Sequence, residues 1–168
     1  MYSTTAYFLS RNTIELPYTF IFPLLQIIIV YWFVGLAASA TQFFICFLIL
    51  YLLCFNGMSL GLFIGSIIFD PRTMTILSPT FYITISVFSG YYKNIANYPE
   101  WIGWLQYLSP VRYGFEAFVR NETQFTDSLI GELNFTLSLW LSIGLLVVLG
   151  VALRILSLFS LWLLRSKL

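Results

Sequence analysis

The chain has 168 residues, 60% of them hydrophobic and only 9% charged, where a soluble globular domain carries roughly 25% charged residues. Its net charge of +1 comes without any basic cluster, so nothing in it suits nucleic acid, and it has no histidine, the commonest general base and metal ligand. These features describe an all-α membrane protein, with four transmembrane helices and a short re-entrant or interfacial helix pair in an outer loop.

Residues 1–13 are expected to be a cytoplasmic segment. Met1 is followed by YSTTAYFLS, without a basic region before an apolar one, so no signal peptide is expected and the chain reads as part of something longer. The first crossing is predicted at 14–36. Pro17 falls in its first turn, where a missing N–H costs little, and Pro23 lies deeper, where a kink is expected. Arg11 stands one turn before Glu15 at the mouth of this helix. A turn of small residues, Gly35 to Ala40, leads into the second crossing at 41–69. From Leu16 to Phe69 there is no Asp, Glu, Lys or Arg, and with roughly 20 apolar residues needed per crossing the run holds two.

Within the second crossing, Cys46 and Cys54 lie eight residues apart on one helix. They read as small buried hydrophobes, because that separation does not permit a disulfide. Gly57, Gly61 and Gly65 repeat every four residues, a pattern that lets helix backbones approach closely. That approach is either within the subunit or at a dimer contact. Gln26 and Asn56 are isolated amides in apolar segments, suited to joining helices or to touching a substrate. Asp70-Pro71-Arg72 supplies an N-cap and a proline at the first helical position, so the third crossing is predicted at 71–89, with Pro79 inside it.

The outer loop, 90–136, interleaves charges with Trp and Tyr residues, which favour a membrane–water boundary. Pro99-Glu100 and Ser109-Pro110 both resemble helix starts, predicting short helices at about 99–108 and 110–121. The pair either dips into the membrane against other protein or lies on its surface as an anchor. Arg112, Glu116 and Arg120 form an i, i+4 ladder on the second helix, by default a solvated one. Asn121-Glu122-Thr123 and Asn134-Phe135-Thr136 are glycosylation sequons; Asn134 falls too close to the last crossing, and Asn121 is either a glycan acceptor or held in the helix. The fourth crossing is predicted at 137–164, with Arg154 near its inner end.

The side holding both chain ends carries Arg11, Arg72, Arg154, Arg165 and Lys167, while acids outnumber bases in the loop. Basic residues are retained in the cytoplasm, so both ends are expected there and the loop outside.

The phrases FSG at Phe88–Gly90, WxxWLQYxS at Trp101–Ser109, RYGFEA at Arg112–Ala117 and NE at Asn121–Glu122 occur in order. Together with YFLSRNTIELP at Tyr7–Pro17 and VYWFVGL at Val30–Leu36, they make the chain resemble the G family of ABC transporters, the white, sterol-exporter and pleiotropic-drug-resistance types. The resemblance implies the C-terminal two-thirds of a six-helix membrane domain in an ATP-driven exporter of lipids, sterols or amphipathic small molecules. It implies two protein partners, a nucleotide-binding domain earlier in the same longer polypeptide and a second membrane domain. ATP and magnesium belong to that nucleotide-binding domain, and no GxxxxGK[ST] occurs here. It further implies that Pro79, Ile83 and Ser86 face a substrate cavity, that Tyr91 and Tyr92 form an exit plug, and that Arg11 and Glu15 sit where movement enters. Arg112 and Glu116 would brace the loop helices. Without the resemblance, a four-helix pore or secondary carrier and a structural membrane subunit remain open. A carrier would normally place charges inside the membrane, and residues 16–69 and 73–92 have none.

Overall fold

In the computed structural model, the described residues are 4–35, 39–68, 70–87, 89, 104–122 and 137–165. They are helical throughout: α1 (Thr4–Val34), α2 (Ala40–Ile67), α3 (Pro71–Val87), a 3-10 turn (Trp104–Leu108), α4 (Pro110–Asn121) and α5 (Leu139–Arg165).

α1 starts well before residue 14. Residues 4–13 continue the same helix as the first predicted crossing, and the helix runs through both Pro17 and Pro23. Each proline deprives a carbonyl one turn earlier of its N–H partner. α2 has no proline and a nearly unbroken apolar sequence, so it forms one helix of 28 residues. The segments Phe8–Val34, Ala40–Ile67 and Leu139–Leu163 are long and apolar enough to cross a membrane, and the chain is a multi-pass membrane protein. Their outer faces are apolar, with Phe33, Trp32 and Trp162 among the most exposed side chains, as suits contact with lipid.

α3 is shorter than its predicted span. Its 17 residues rise about 25 Å, less than the roughly 30 Å of a hydrocarbon core. The N-cap prediction matches: the Asp70 carboxylate accepts hydrogen bonds from the Thr73 amide and hydroxyl. Those bonds hold the Asp70 carboxyl below the usual carboxylate range. Thr75, Thr80 and Thr84 return their hydroxyls to the carbonyls of Pro71, Ile76 and Thr80. These three hydroxyls are thereby satisfied within the helix.

α4 occupies the range predicted for the second loop helix, with Pro110 in its first turn. Ser109 sits at the cap position in extended conformation, but its hydroxyl makes no capping bond; the start rests on proline instead. Of the first loop helix predicted at 99–108, residues 104–108 form a 3-10 turn and residues 99–103 lie outside the described residues.

α2 is the hub, packing against α5, α1, α4 and α3. One buried cluster joins Ile49 and Leu52 of α2 to Tyr113 and Ala117 of α4 and to Ile143 and Leu146 of α5. A second joins Leu60 and Ile64 to Ile85 of α3. Glycines set the closest approaches. A Cβ on Gly150 of α5 would stand 2.7 Å from the Phe55 ring, and one on Gly114 of α4 would stand 2.7 Å from Leu53. In the predicted glycine repeat, Gly57 and Gly65 face α3, with Tyr82 and Met74 as neighbours, whereas Gly61 opens onto empty space.

Candidate functional site

Glu15 lies on α1, and its side chain is 12% exposed. Its Oε1 accepts a hydrogen bond from Arg11 Nε at 3.0 Å, the i, i+4 pairing expected from the sequence. Its Oε2 lies 3.5 Å from Nη2 of Arg154 on α5. Arg154 in turn donates from Nε to Ser59 Oγ on α2 at 3.1 Å, and its guanidinium carbon stands 4.3 Å from the centre of the Phe55 ring. One carboxylate and one guanidinium thus join three helices. Arginine can do this because its planar fork offers several donors at once and stacks on rings. In the sequence Arg154 stands out only as one of the basic residues on the side of the chain ends. Its signal was a single arginine within an otherwise apolar span, where a charge marks a functional position and requires a named partner.

Beside this cluster is a cavity of about 620 Å³ between α1, α2, α3 and the end of α5. Arg11 and Glu15 form its polar end. Tyr18, Phe22, Met58, Leu62 and Leu161 give it apolar walls, and Gly61 and Gly65 form the small-residue side. A cavity of that size, largely apolar with a few polar groups, suits an amphipathic ligand.

The predicted cavity-facing residues of α3 lie elsewhere. Pro79 and Ile83 are exposed, with Ile83 61% accessible, and Ser86 is half-buried with its hydroxyl on the Ile83 carbonyl. The opposite side of α3 packs inward through Met74, Tyr82 and Ile85. The 79/83 face is therefore not covered by the described residues. Tyr91 and Tyr92 lie outside the described residues.

The ladder on α4 is buried. Arg112 is 5% exposed and Glu116 fully buried. Glu116 Oε1 accepts the Leu137 amide at 2.7 Å, at the lead-in to α5, and Arg120 stands 3.8 Å from the same oxygen. Arg112 instead lies over the Tyr107 ring at 4.9 Å. A solvated ladder, the ordinary form of such a pattern, is not what forms here, because α4 is enclosed by α2 and α5.

Asn121 and Gln42 exchange two bonds: Gln42 Nε2 donates to the Asn121 carbonyl at 3.1 Å, and Asn121 Nδ2 donates to the Gln42 carbonyl at 2.9 Å. The expectation that Asn121 accepts a glycan conflicts with this arrangement. Its amide nitrogen is engaged and the residue is 6% exposed, leaving no room for a sugar in the folded chain. Asn56 joins helices, donating from Nδ2 to the Leu52 carbonyl of its own helix and to the Leu146 carbonyl of α5. Gln26, the other isolated amide, faces outward. Among the described residues no group of three or more His, Cys, Asp or Glu side chains could hold a metal ion.

A family model for ABC-2 type transporters matches residues 1–123. Among curated proteins, the chain is 33% identical over 132 residues to ABC transporter G family member 22 of Arabidopsis thaliana, an alignment covering 78% of this chain and 17% of that protein. It is 32% identical over 122 residues to the ABC transporter ATP-binding protein/permease wht-1 of Caenorhabditis elegans, covering 73% and 18%. It is 30% identical over 138 residues to Protein white of Drosophila melanogaster, covering 82% and 20%. The chain spans no more than a fifth of the length of these relatives. Matched over most of its length by one family model and by relatives of one kind, the chain belongs to the ABC-2 type transporter family, as a membrane-spanning stretch of the ABC transporter G family.

Proposed function

We propose that the chain is part of the membrane domain of an ATP-driven exporter that moves lipids, sterols or amphipathic small molecules. The observation that carries this reading is the face of α3 that the described residues leave uncovered. Pro79 and Ile83 are exposed on a helix whose other side is packed and whose Thr80 and Thr84 hydroxyls are internally bonded, which suits a wall of a substrate path completed by a second membrane domain. α3 supplies the third of four crossings, and both chain ends face the cytoplasm. The loop 90–136 faces out, with Tyr91 and Tyr92 as its plug.

The loop helices are a re-entrant pair. In support, α4 runs beside the first half of α2, with Asn121 at Gln42 and Gly114 at Leu53, points about 16 Å apart along that helix. Glu116 and Arg112 brace the pair from within. ATP and magnesium, held by a nucleotide-binding domain of the same longer polypeptide, supply free energy by phosphoryl transfer. Within this chain, Arg11 and Glu15 receive the resulting movement, the cavity contracts, and substrate leaves past the plug.

The test uses the full transporter in vesicles. Ile83→Cys reacts with a water-soluble maleimide and then loses export, while Ile85→Cys, buried in the contact with α2, does not react. Replacing Tyr91 and Tyr92 by alanine alters basal ATPase activity and export. Export that survives Ile83→Cys labelling sinks the cavity assignment, and unchanged activity after the tyrosine replacements sinks the plug.

A further inference from the structure

We infer that Arg154 is the positioning residue that makes α1 and α5 move as one body, the link through which movement entering at Glu15 reaches the last helix. This rests on the exporter reading above. The two arginines on Glu15 differ in kind. Arg11 belongs to the same helix and its side chain is 55% exposed, so its bond constrains only the Glu15 rotamer. Arg154 belongs to another helix, its side chain is only 15% exposed, and it is already fixed to α2 by the Ser59 hydroxyl and the Phe55 ring.

Contact between α1 and α5 is sparse, whereas each of them packs extensively on α2. Sliding of α1 along α2 would therefore meet little resistance from α5 except through this ion pair. At 3.5 Å the pair is stretched, but it lies among apolar side chains, where charge–charge attraction is far less screened than in water. Breaking it strands the Arg154 charge on a membrane-spanning helix. The cluster therefore resists movement of α1 relative to α5, which is itself held to α2 at Ser59 and Phe55. Lysine, with a point charge and no fork, could keep the pair or the Ser59 bond but not both with the ring.

The test places spin labels at Ser10→Cys on α1 and Trp162→Cys on α5, both exposed positions, in the full transporter lacking other reactive cysteines. Distances are measured with and without ATP plus vanadate. With Arg154 present the distance distribution stays the same on trapping. In Arg154→Gln it shifts or broadens, Arg154→Lys gives a smaller change, and the exchange Glu15→Arg with Arg154→Glu restores the original behaviour. A merely structural arginine would give a distribution that ignores nucleotide in every variant. If Arg154→Gln does not reach the membrane, the lysine variant and the exchanged pair decide. A lysine variant that matches the original protein with and without nucleotide, or an exchanged pair that does not, overturns the proposal. A transporter in which ATP changes no label distance, including pairs placed across the two membrane domains, sinks the exporter reading instead.

Discussion

Asn56 offers the sharpest check on how the bundle is held together. It is fully buried at the crossing of α2 and α5, and its Nδ2 donates to two carbonyls, Leu52 at 2.8 Å and Leu146 at 2.9 Å. Only the second bond joins helices. Interhelical side-chain bonds in membranes average about 0.6 kcal/mol and reach about 1.7 kcal/mol, and truncation to alanine adds a void between closely packed helices. Asn56→Ala is therefore expected to cost about 1–2 kcal/mol. Asn56→Asp is expected to cost more, because the donating nitrogen becomes an acceptor aimed at two carbonyls. An unpaired carboxylate at the centre of a span costs roughly 2.5–3.5 kcal/mol on insertion scales. The assay is equilibrium unfolding of the full transporter by mixed-detergent titration, with the alanine and aspartate variants side by side. The reasoning fails if aspartate is no worse than alanine, or if alanine is indistinguishable from the original protein.

Gly150→Ala places a methyl group 2.7 Å from the Phe55 ring, which cannot swing freely because the Arg154 guanidinium lies over it. A loss of about 1–3 kcal/mol is expected, with part of it recovered by adding Phe55→Ala in the same titration. The Asp70 cap predicts a pH dependence. Its folded pKa is depressed by the Thr73 bonds, so its contribution is fully present above the unfolded value of about 3.9 and is lost as pH falls through the lower folded value. Amide-exchange protection at Thr73, corrected for intrinsic rates, is expected to fall below about pH 4 in the original protein and to be insensitive to pH in Asp70→Asn.

Much of the architecture was legible because it depends on local chemistry. The charge-free run from Leu16 to Phe69 required two crossings, the Asp70-Pro71 and Ser109-Pro110 pairs marked helix starts, and α4 begins and ends where predicted. The candidate site was legible only in part. Arg11 and Glu15 were visible as neighbours one turn apart, whereas Arg154 is 139 residues from Glu15 in sequence and nothing local joins them. Ser109 had a capping residue's identity and position, yet its hydroxyl makes no cap bond. The Asn121 sequon likewise depended on exposure, which packing against Gln42 removed.

By itself the sequence determined the solvent, the helical class and the approximate ends of α2 to α5, though not the start of α1, because those follow from composition, from the residues needed to cross a bilayer and from which backbones proline and capping side chains permit. It also carried the family in ordered motifs. Only the tertiary structure decided which faces meet: that α2 is the hub, that the α4 ladder is enclosed around the Leu137 amide, and that Arg154 reaches Glu15. The reason is physical. An all-apolar helix has no distinct polar side to orient it, so its neighbours are chosen by the fit of small residues such as Gly114 and Gly150 against large ones such as Leu53 and Phe55. That complementarity belongs to pairs of surfaces and is not present in either segment alone.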